Sequence, residues 1–196
     1  LRFCNKRMTI QLAVLGAGMI GRRHIDLIMA SQEATLAAIC DPTPAAGKLA
    51  DQLDVPYFQH YERLLEQTSP DGAIIATPND MHVSIGITCA EAGLDLLVEK
   101  PIAETVAEAS RLVDAVSRCG VELLVGHYRR FNPLVKKARE VVRGGDIGQL
   151  LAVNMLWALQ KPDAYYNVTW RTEPGGGPVL INLIHDVDTL RFICGE

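Results

Sequence analysis

The feature that most constrains the fold is a glycine-rich turn between an apolar run and a helical pattern. In "AVLGAGMIGRRH", Gly16, Gly18 and Gly21 form G-x-G-x-x-G directly after the apolar run "IQLAVLG". The first glycine permits a tight turn, the second lets a pyrophosphate approach the backbone, and the third allows a helix to pack closely on a strand. Amide groups at the helix start then face the anion. The turn predicts a dinucleotide site formed by Gly16, Gly18, Met19, Ile20 and Gly21.

An acidic residue at the end of the next apolar run supports this prediction. Asp41 follows Gly21 by 20 residues, the spacing at which an acidic side chain binds the ribose of a dinucleotide. Its charge would repel a 2′-phosphate, which favours NAD over NADP, although Arg22 and Arg23 could offset that repulsion. Two alternatives stay open: a turn without a ligand, and Asp41 as an N-cap before a helix beginning at Pro42.

Strand-like and helix-like patterns alternate from residue 10 to about residue 125. The apolar runs "IQLAVLG", "TLAAICD", "DGAIIATP", "LDLLVEKP" and "VELLVGH" are typical of buried parallel strands. Between them lie amphipathic patterns, the clearest over 104–118, where apolar residues keep helical spacing. The alternation predicts an α/β fold with a doubly wound parallel sheet.

The pattern changes after Gly126, so we predict two domains, residues 1–125 and residues 126–196. In the second, a helix is expected over 133–143, one long strand over 149–159 ("QLLAVNMLWAL") and a helix over 182–194. These elements predict part of an α/β domain whose sheet is incomplete.

Composition excludes several classes of function. The 196 residues carry a net charge of −4 and are 48 % hydrophobic, which argues against a nucleic-acid surface. No apolar run approaches the roughly 20 residues of a membrane span. Five cysteines without a CxxC pair favour reduced thiols and a cytoplasmic location. The dispersed histidines predict no metal site.

A polar bend follows the run "DGAII". In an open α/β sheet, ligands bind at the carboxyl ends of the strands, so Thr77, Pro78 and Asn79 of "ATPNDMH" are candidates for contacting the cofactor. Asn79 or Asp80 could equally cap the next helix. His82, one turn into that helix, is a further cofactor candidate or else a structural histidine.

The fifth run ends on "EKP", which puts Glu99 and Lys100 at the same edge. A lysine partly desolvated beside a nicotinamide cation would have its pKa lowered from about 10.4, which suits it to polarise a substrate hydroxyl. A surface lysine paired with Glu99 is the alternative.

The chain resembles the glucose–fructose oxidoreductase/inositol dehydrogenase (Gfo/Idh/MocA) family. The resemblance rests on G-x-G-x-x-G…H, "CDP", "ATPNDMH", "VEKPIA", "VGHYRRFNP", "WR" and "GGGPVLINLIHDVDTLRFICGE" in this order. It implies an N-terminal Rossmann domain, a C-terminal α/β domain with a mostly antiparallel sheet, and NAD(P)-dependent chemistry on sugars, inositols and related polyols. Family chains continue beyond position 196, so an incomplete sheet with open edges is expected, which favours a homo-oligomer.

The resemblance also assigns residues. The lysine of the family's E-K-P motif falls on Lys100 and the catalytic histidine falls on His185. Helical spacing places Asn182 and His185 on a polar face opposite Leu183, Val187 and Leu190, and Asp188 is expected to orient the His185 ring. Many members carry an aspartate where this chain has Ile181, so Asn182 is expected to bind substrate. The full set of predicted substrate contacts is Tyr128, Arg129, Trp170, Asn182 and His185.

These observations favour an NAD-dependent oxidoreductase acting on a small sugar or polyol, with no nucleic-acid or membrane partner. A non-catalytic dinucleotide-binding protein, such as a sensor, is the alternative, motivated by Ile181 and the unfinished second sheet. A methyltransferase binding S-adenosylmethionine at the glycine turn fits less well, because "EKP" and the late histidine would have no role.

Overall fold

The structure is a computed structural model that describes residues 9–173 and 177–195. The chain forms two compact units, Leu1–Val125 and Gly126–Glu196. Each unit is built from its own elements.

The first unit contains one parallel sheet. Six strands among the described residues pair in the order β3-β2-β1-β4-β5-β6, and every adjacent pair is parallel. This order places β1 at the centre, with the chain winding outward to both sides. The strands are β1 (Ile10–Leu15), β2 (Ala34–Cys40), β3 (Tyr57–Phe58), β4 (Gly72–Ile75), β5 (Asp95–Val98) and β6 (Leu123–Val125).

Helices cover both faces of this sheet. Val14, Ile39 and Ile74 point to one face, where they pack on the first two helices. Leu15 and Ile75 belong to the cluster on the other face, which includes residues of the next three helices. Adjacent strand residues alternate between faces, so both faces are apolar and the strands read as continuous apolar runs. The helices are α1 (Met19–Met29), α2 (Pro44–Leu53), α3 (Tyr61–Gln67), α4 (His82–Glu91) and α5 (Val106–Cys119).

The structure confirms the predicted doubly wound α/β fold. The five predicted strands correspond to β1, β2, β4, β5 and β6, and the helix predicted over 104–118 is α5. Sequence reasoning missed β3 and α3. The strand β3 has two residues, too few for a period-2 pattern, and α3 has only seven.

Two glycines bring α1 against the end of β1. A Cβ built on Gly21 would lie 1.8 Å from the carbonyl oxygen of Gly16, so a side chain at position 21 has no space. Gly16 itself has a φ of +91°, and its built Cβ would lie 2.5 Å from the carbonyl oxygen of Ala76. Only glycine satisfies both the conformation and the space at position 16.

The second unit is helical in its described part. The helix α6 (Pro133–Gly144) begins after Asn132, whose side chain accepts a hydrogen bond from the Leu134 amide, and ends at Gly145 with a φ of +83°. A π-helical turn (Val179–Leu183) leads into α7 (Ile184–Cys194). The predicted helices over 133–143 and 182–194 are thereby confirmed.

The strand predicted over 149–159 is wrong. These residues form no regular secondary structure, and apolar side chains such as Leu156 are largely exposed. A strand needs a hydrogen-bonded neighbour to satisfy its backbone groups, and the described residues of this unit provide no second strand. The apolar pattern of residues 149–159 does not show whether a neighbouring strand is present.

The predicted apolar stripe on α7 is also wrong. Val187 is exposed, whereas His185 and Asp188 are the two buried residues of this helix. The π-helical turn alters the angular spacing ahead of α7, so Asn182 and His185 do not follow the α-helical period assumed for them.

Among the described residues, no helix is both long enough and apolar enough to cross a membrane.

We predict that Gly21→Ala destabilises the first unit. The added methyl group would collide with the Gly16 carbonyl, and overpacking of this kind costs about 1–3 kcal/mol of unfolding free energy, more than alanine gains in helix propensity. Gly18→Ala is the matched control, because nothing lies within 4 Å of a Cβ built there, and it should cost less than about 1 kcal/mol. Urea unfolding followed by circular dichroism measures both. Equal stability of the two variants would contradict the packing explanation.

Candidate dinucleotide and substrate sites

The six described strands of the first unit all end at one edge of the sheet, because every adjacent pair is parallel. Backbone hydrogen bonds continue the pairing just past the strand ends. The Gly16 amide donates to the Cys40 carbonyl (2.8 Å), the Ala76 amide to Leu15 (2.8 Å), and the Glu99 amide to Ile75 (2.9 Å). Ligands bind at this edge in sheets of this topology. The predicted cofactor residues of the first unit all lie at or beside it.

The glycine turn leaves the start of α1 open. Gly18 is the N-cap residue of this 11-residue helix, and no side chain of the described residues caps it. Because no atom of residues 9–173 and 177–195 lies within 4 Å of a Cβ built on Gly18, a ligand can approach the backbone there. Met19 is 79 % exposed and Ile20 is also exposed. Free amide groups and open space fit a bound pyrophosphate.

Asp41 holds the glycine turn in place. Its Oδ2 accepts a hydrogen bond from the Ala17 amide (2.7 Å), and its Oδ1 accepts from the amide (2.8 Å) and hydroxyl (2.5 Å) of Thr43. The N-cap interpretation of Asp41 is therefore wrong: Thr43 is the N-cap of α2, and Pro44 rather than Pro42 occupies the first turn. The carboxylate ties β2 to the turn at the position where a ribose would bind.

The bend after β4 contradicts the capping interpretation of its sequence. Pro78 precedes a 3₁₀ turn over Asn79–Met81, and α4 begins at His82 with Met81 as its N-cap. Neither Asn79 nor Asp80 caps α4, and Asn79 is buried. The buried hydroxyl of Thr77 has no hydrogen-bond partner among the described residues. A polar ligand at this edge would satisfy it.

His82 is a structural residue in this arrangement. Its Nδ1 lies 2.7 Å from the Pro101 carbonyl oxygen and its Nε2 lies 3.0 Å from the Thr77 carbonyl oxygen. The ring is 1 % exposed and opens α4 rather than lying one turn into it. Both ring nitrogens contact backbone carbonyls, so the prediction that His82 binds the cofactor has no support from its contacts.

Glu99 pairs with a histidine of α1. Its Oε1 lies 2.8 Å from His24 Nε2, and its Oε2 accepts a hydrogen bond from the Lys100 backbone amide (3.2 Å). Both side chains are mostly buried, with 20 % of His24 and 13 % of Glu99 exposed. The Lys100–Pro101 peptide bond is cis. The Lys100 charge also attracts the Glu99 carboxylate.

The Glu99 carboxyl is held in its ionised form. Burial alone would raise its pKa, but the hydrogen bond and attraction from His24, with smaller contributions from Lys100, outweigh burial and lower the pKa of Glu99 below its ordinary value. An ionised, mostly buried carboxylate at the end of β5 is therefore stabilised chiefly by a side chain of α1.

In the second unit, two predicted substrate residues have partners on α7. Arg129 Nη1 donates a hydrogen bond to Asp186 Oδ1 (2.7 Å), so Arg129 also has a structural contact with α7. The Tyr128 and His185 rings contact edge to face, with centroids 5.3 Å apart. The structure thus brings Tyr128, Arg129 and His185 into one group.

The Asp188 carboxylate pairs with an arginine. Its carboxylate accepts three hydrogen bonds of 2.5–3.1 Å from Arg130, and Oδ2 lies 3.8 Å from His127 Nδ1. Arg130 and Asp188 form a bidentate pair, and orientation of the His185 ring by Asp188 stays a prediction. Because Asp188 is buried, it requires such a cationic partner.

The other two substrate candidates lie further along the second unit. Asn182 lines a pocket of this unit together with Ile181, Tyr165 and Arg171. Arg171 covers the Tyr165 ring at 4.2 Å from its centroid and donates to the Tyr165 carbonyl (2.8 Å). Trp170 has a described backbone in the 3₁₀ turn Thr169–Arg171, and its side chain lies outside what the structure describes.

Sequence reasoning missed two contributors, His24 and Asp186. The partners of each are distant in sequence, by 75 residues for His24–Glu99 and 57 for Arg129–Asp186. One signal was available for His24: it follows Gly21 by three residues on a helix that must pack on the sheet.

Cysteine and metal chemistry have no support at these sites. Burial raises the pKa of Cys40 and Cys89 to about 12, so neither thiol is a nucleophile near neutral pH. Within residues 9–173 and 177–195, no cluster of three or more histidine, cysteine, aspartate or glutamate side chains could hold a metal ion.

The sheet order, the glycine turn and Asp41 together define a dinucleotide-binding Rossmann protein. The oxidoreductase family with an NAD-binding Rossmann fold, Gfo/Idh/MocA, matches residues 10–127, and the Gfo/Idh/MocA C-terminal domain matches residues 135–196. The chain therefore belongs to the Gfo/Idh/MocA oxidoreductase family.

Relatives of known sequence and structure agree with this assignment. The rhizopine catabolism protein MocA of Rhizobium meliloti is 30 % identical over 95 % of this chain and 57 % of its own length. Inositol 2-dehydrogenase 2 of Saccharopolyspora erythraea is 30 % identical over 96 % of this chain and 55 % of its own. The WlbA dehydrogenase of Bordetella pertussis, solved with NADH and UDP-GlcNAcA, superposes with a TM-score of 0.88 at 29 % identity, over 96 % of this chain and 59 % of its own. The chain spans a little over half the length of these relatives.

We predict that Glu99→Gln lowers the melting temperature in a pH-dependent way. A carboxyl whose pKa is lowered by folding contributes stability above its ordinary pKa, and that contribution is lost as the pH falls through the folded-state value. At pH 7 the variant should melt about 5 °C below the wild type, as expected for a lost charged hydrogen bond. The difference should shrink as the pH falls below about 4.5.

Glu140→Gln is the control for this series. Glu140 pairs with Lys137 on an exposed face of α6, where ion pairs contribute little, so its melting temperature should stay near that of the wild type. A Glu99→Gln difference that is constant from pH 8 to pH 3.5 would contradict the linkage.

Proposed function

We propose that this chain carries the cofactor domain and part of the substrate domain of an NAD-dependent oxidoreductase acting on a CH–OH group of a sugar, inositol or related polyol. In this proposal residues 1–125 bind the dinucleotide and residues 126–196 contribute substrate contacts. Membership of an oxidoreductase family supports the reaction type. The substrate class is supported by relatives such as an inositol 2-dehydrogenase.

One observation carries the proposal: the open start of α1 lies at the same sheet edge as Asp41 and Glu99–Lys100. Gly18 leaves the first amides of α1 accessible, and Asp41 ends the neighbouring strand β2. These groups would bind the pyrophosphate and the adenosine ribose, respectively. The buried Thr77 hydroxyl would bind the nicotinamide half. A bound nicotinamide dinucleotide would supply the hydride acceptor or donor.

The proposal assigns proton handling to two side chains. The Lys100 amine would donate a hydrogen bond to the substrate oxygen and stabilise the negative charge that develops on it. The His185 imidazole would accept the hydroxyl proton during oxidation and return it during reduction. Tyr128 would support the His185 ring through their edge-to-face contact, and Arg129 and Asn182 would bind substrate hydroxyl groups.

Asp41 favours NAD over NADP in this proposal. Its carboxylate retains lone pairs beyond the three hydrogen bonds that it accepts from Ala17 and Thr43, so it can also accept from a ribose hydroxyl. Arg22 Nε donates a hydrogen bond to the Ala17 carbonyl (3.1 Å), and its positive charge could still offset part of the repulsion between Asp41 and a 2′-phosphate. A homo-oligomer, if the second sheet is completed, stays a prediction.

We predict that Asp41→Asn reduces discrimination against NADP. Removing the charge abolishes repulsion of the 2′-phosphate and weakens the ribose hydrogen bond, each worth about tenfold in affinity. The ratio of the NADPH and NADH dissociation constants, measured by cofactor fluorescence, should fall about 10–100-fold. Asp51→Asn, at an exposed position on α2, is the matched control and should leave the ratio unchanged. An unchanged ratio in Asp41→Asn would exclude Asp41 as the determinant.

The central experiment tests binding and turnover separately. NADH binding is titrated first, and NAD reduction is then followed with a panel of inositols, aldoses and sugar acids. Lys100→Met and His185→Asn should each lower kcat about 10²–10⁴-fold, with an NADH dissociation constant within about threefold of the wild type. Lys48→Met, an exposed lysine of α2, should match the wild type in both measurements.

Each outcome has a defined meaning. Turnover that survives in Lys100→Met removes this lysine from the mechanism, and the same result for His185→Asn removes the histidine. Tight NADH binding without turnover on any substrate would favour the non-catalytic dinucleotide-binding protein. No NADH binding would overturn both functions.

A further inference from the structure

Histidines hold both sequence neighbours of Lys100. On one side, His24 of α1 bonds the Glu99 carboxylate. On the other, His82 at the start of α4 lies 2.7 Å from the Pro101 carbonyl oxygen. The two rings come from helices on opposite faces of the sheet, since α1 packs in one core cluster and α4 in the other. The backbone of Lys100 is therefore fixed from both sides.

His24 is linked to Lys100 through the Glu99 carboxylate. Each oxygen of Glu99 has one described partner: Oε1 bonds His24 Nε2 at 2.8 Å, and Oε2 accepts from the Lys100 amide at 3.2 Å. A carboxylate held at one oxygen cannot swing away from its second partner without breaking the first bond. His24 thereby restrains the Glu99 rotamer, and Glu99 restrains the Lys100 amide.

The same helix carries the glycine turn. α1 begins at Met19, and His24 lies at its sixth residue. The start of α1 is the proposed anion site, and His24 in the middle of α1 bonds Glu99, the residue that follows β5. One rigid helix thus connects the place where the dinucleotide would bind with the residue that precedes Lys100.

We propose that His24 is a positioning residue for Lys100, acting through the Glu99 carboxylate to fix the lysine relative to the glycine turn. This inference rests on the proposed function, because positioning matters only if Lys100 takes part in turnover. Small misplacements of a catalytic group cost up to about 10²-fold in rate, so the His24–Glu99 bond would act on kcat rather than on cofactor affinity.

Amide hydrogen exchange tests the positioning without any activity measurement. In His24→Leu, Glu99 loses its partner, so the Lys100 amide should exchange about tenfold faster or more. The Glu99 amide is an internal control, because it donates to the Ile75 carbonyl (2.9 Å) and should keep its rate. His24→Gln should preserve protection of Lys100, because a glutamine amide nitrogen can take the place of Nε2 as a donor.

Kinetics test the consequence. His24→Leu should lower kcat about 10–100-fold, with the NADH dissociation constant within about threefold of the wild type, and His24→Gln should recover most of the loss. His60→Leu, at an exposed histidine before α3, is the matched control and should resemble the wild type. If His24→Leu does not fold, Glu99→Leu gives the second measurement, because it removes the acceptor of the Lys100 amide, with the same faster exchange at Lys100 and the same loss of kcat.

The outcomes separate this inference from the proposed function. Unchanged Lys100 exchange in both His24→Leu and Glu99→Leu would overturn the positioning role, whatever the enzyme does. Faster exchange with an undiminished kcat would also overturn it, because the bond would then be structural only. If Lys100→Met retains turnover while exchange at Lys100 responds to His24, the failure lies in the proposed function.

Discussion

The absence of a side chain at Gly21 is the constraint on which the candidate cofactor site depends. A Cβ there would lie 1.8 Å from the Gly16 carbonyl oxygen, so α1 can approach the end of β1 only because position 21 is glycine. Gly16 has a positive φ, and a Cβ built on it would lie 2.5 Å from the Ala76 carbonyl oxygen just after β4. Together the two glycines bring a helix start and two strand ends to one place, and Gly18 leaves that place accessible.

The packing of α1 on the sheet also determines the environment of Lys100, which lies just after β5. Because α1 lies against the sheet, His24 reaches the Glu99 carboxylate at 2.8 Å, and that ion can be mostly buried without losing its charge. A strand that ends on Glu-Lys-Pro would be costly if the charges were desolvated without partners. Here the carboxylate has the imidazole and the Lys100 amide, and the Pro101 carbonyl has His82. The polar strand end is stable because two helices supply its partners.

Local patterns predicted the first unit well and the second poorly, for a physical reason. The strands of a parallel sheet covered on both faces are continuous apolar runs, and "IQLAVLG" and "DGAII" show this directly. The glycine spacing and Asp41 encode backbone requirements at fixed positions, so sequence identifies them too. The segment 149–159 has the composition of a strand, but strand formation depends on a neighbour that composition does not reveal. The buried face of α7 was misjudged likewise, because the partner of Asp188 lies 58 residues earlier in the chain.

The two candidate catalytic residues share a mode of immobilisation. Lys100 is fixed through Glu99 and Pro101, its immediate neighbours. His185 lies on a helix anchored by the residues one and three positions later, where Asp186 binds Arg129 and Asp188 binds Arg130. In both places strong contacts fall on the residues beside the candidate group. Such contacts restrain the backbone that carries each side chain, as preorganised catalysis requires. The Arg129–Asp186 and Arg130–Asp188 pairs therefore help to hold α7 in place.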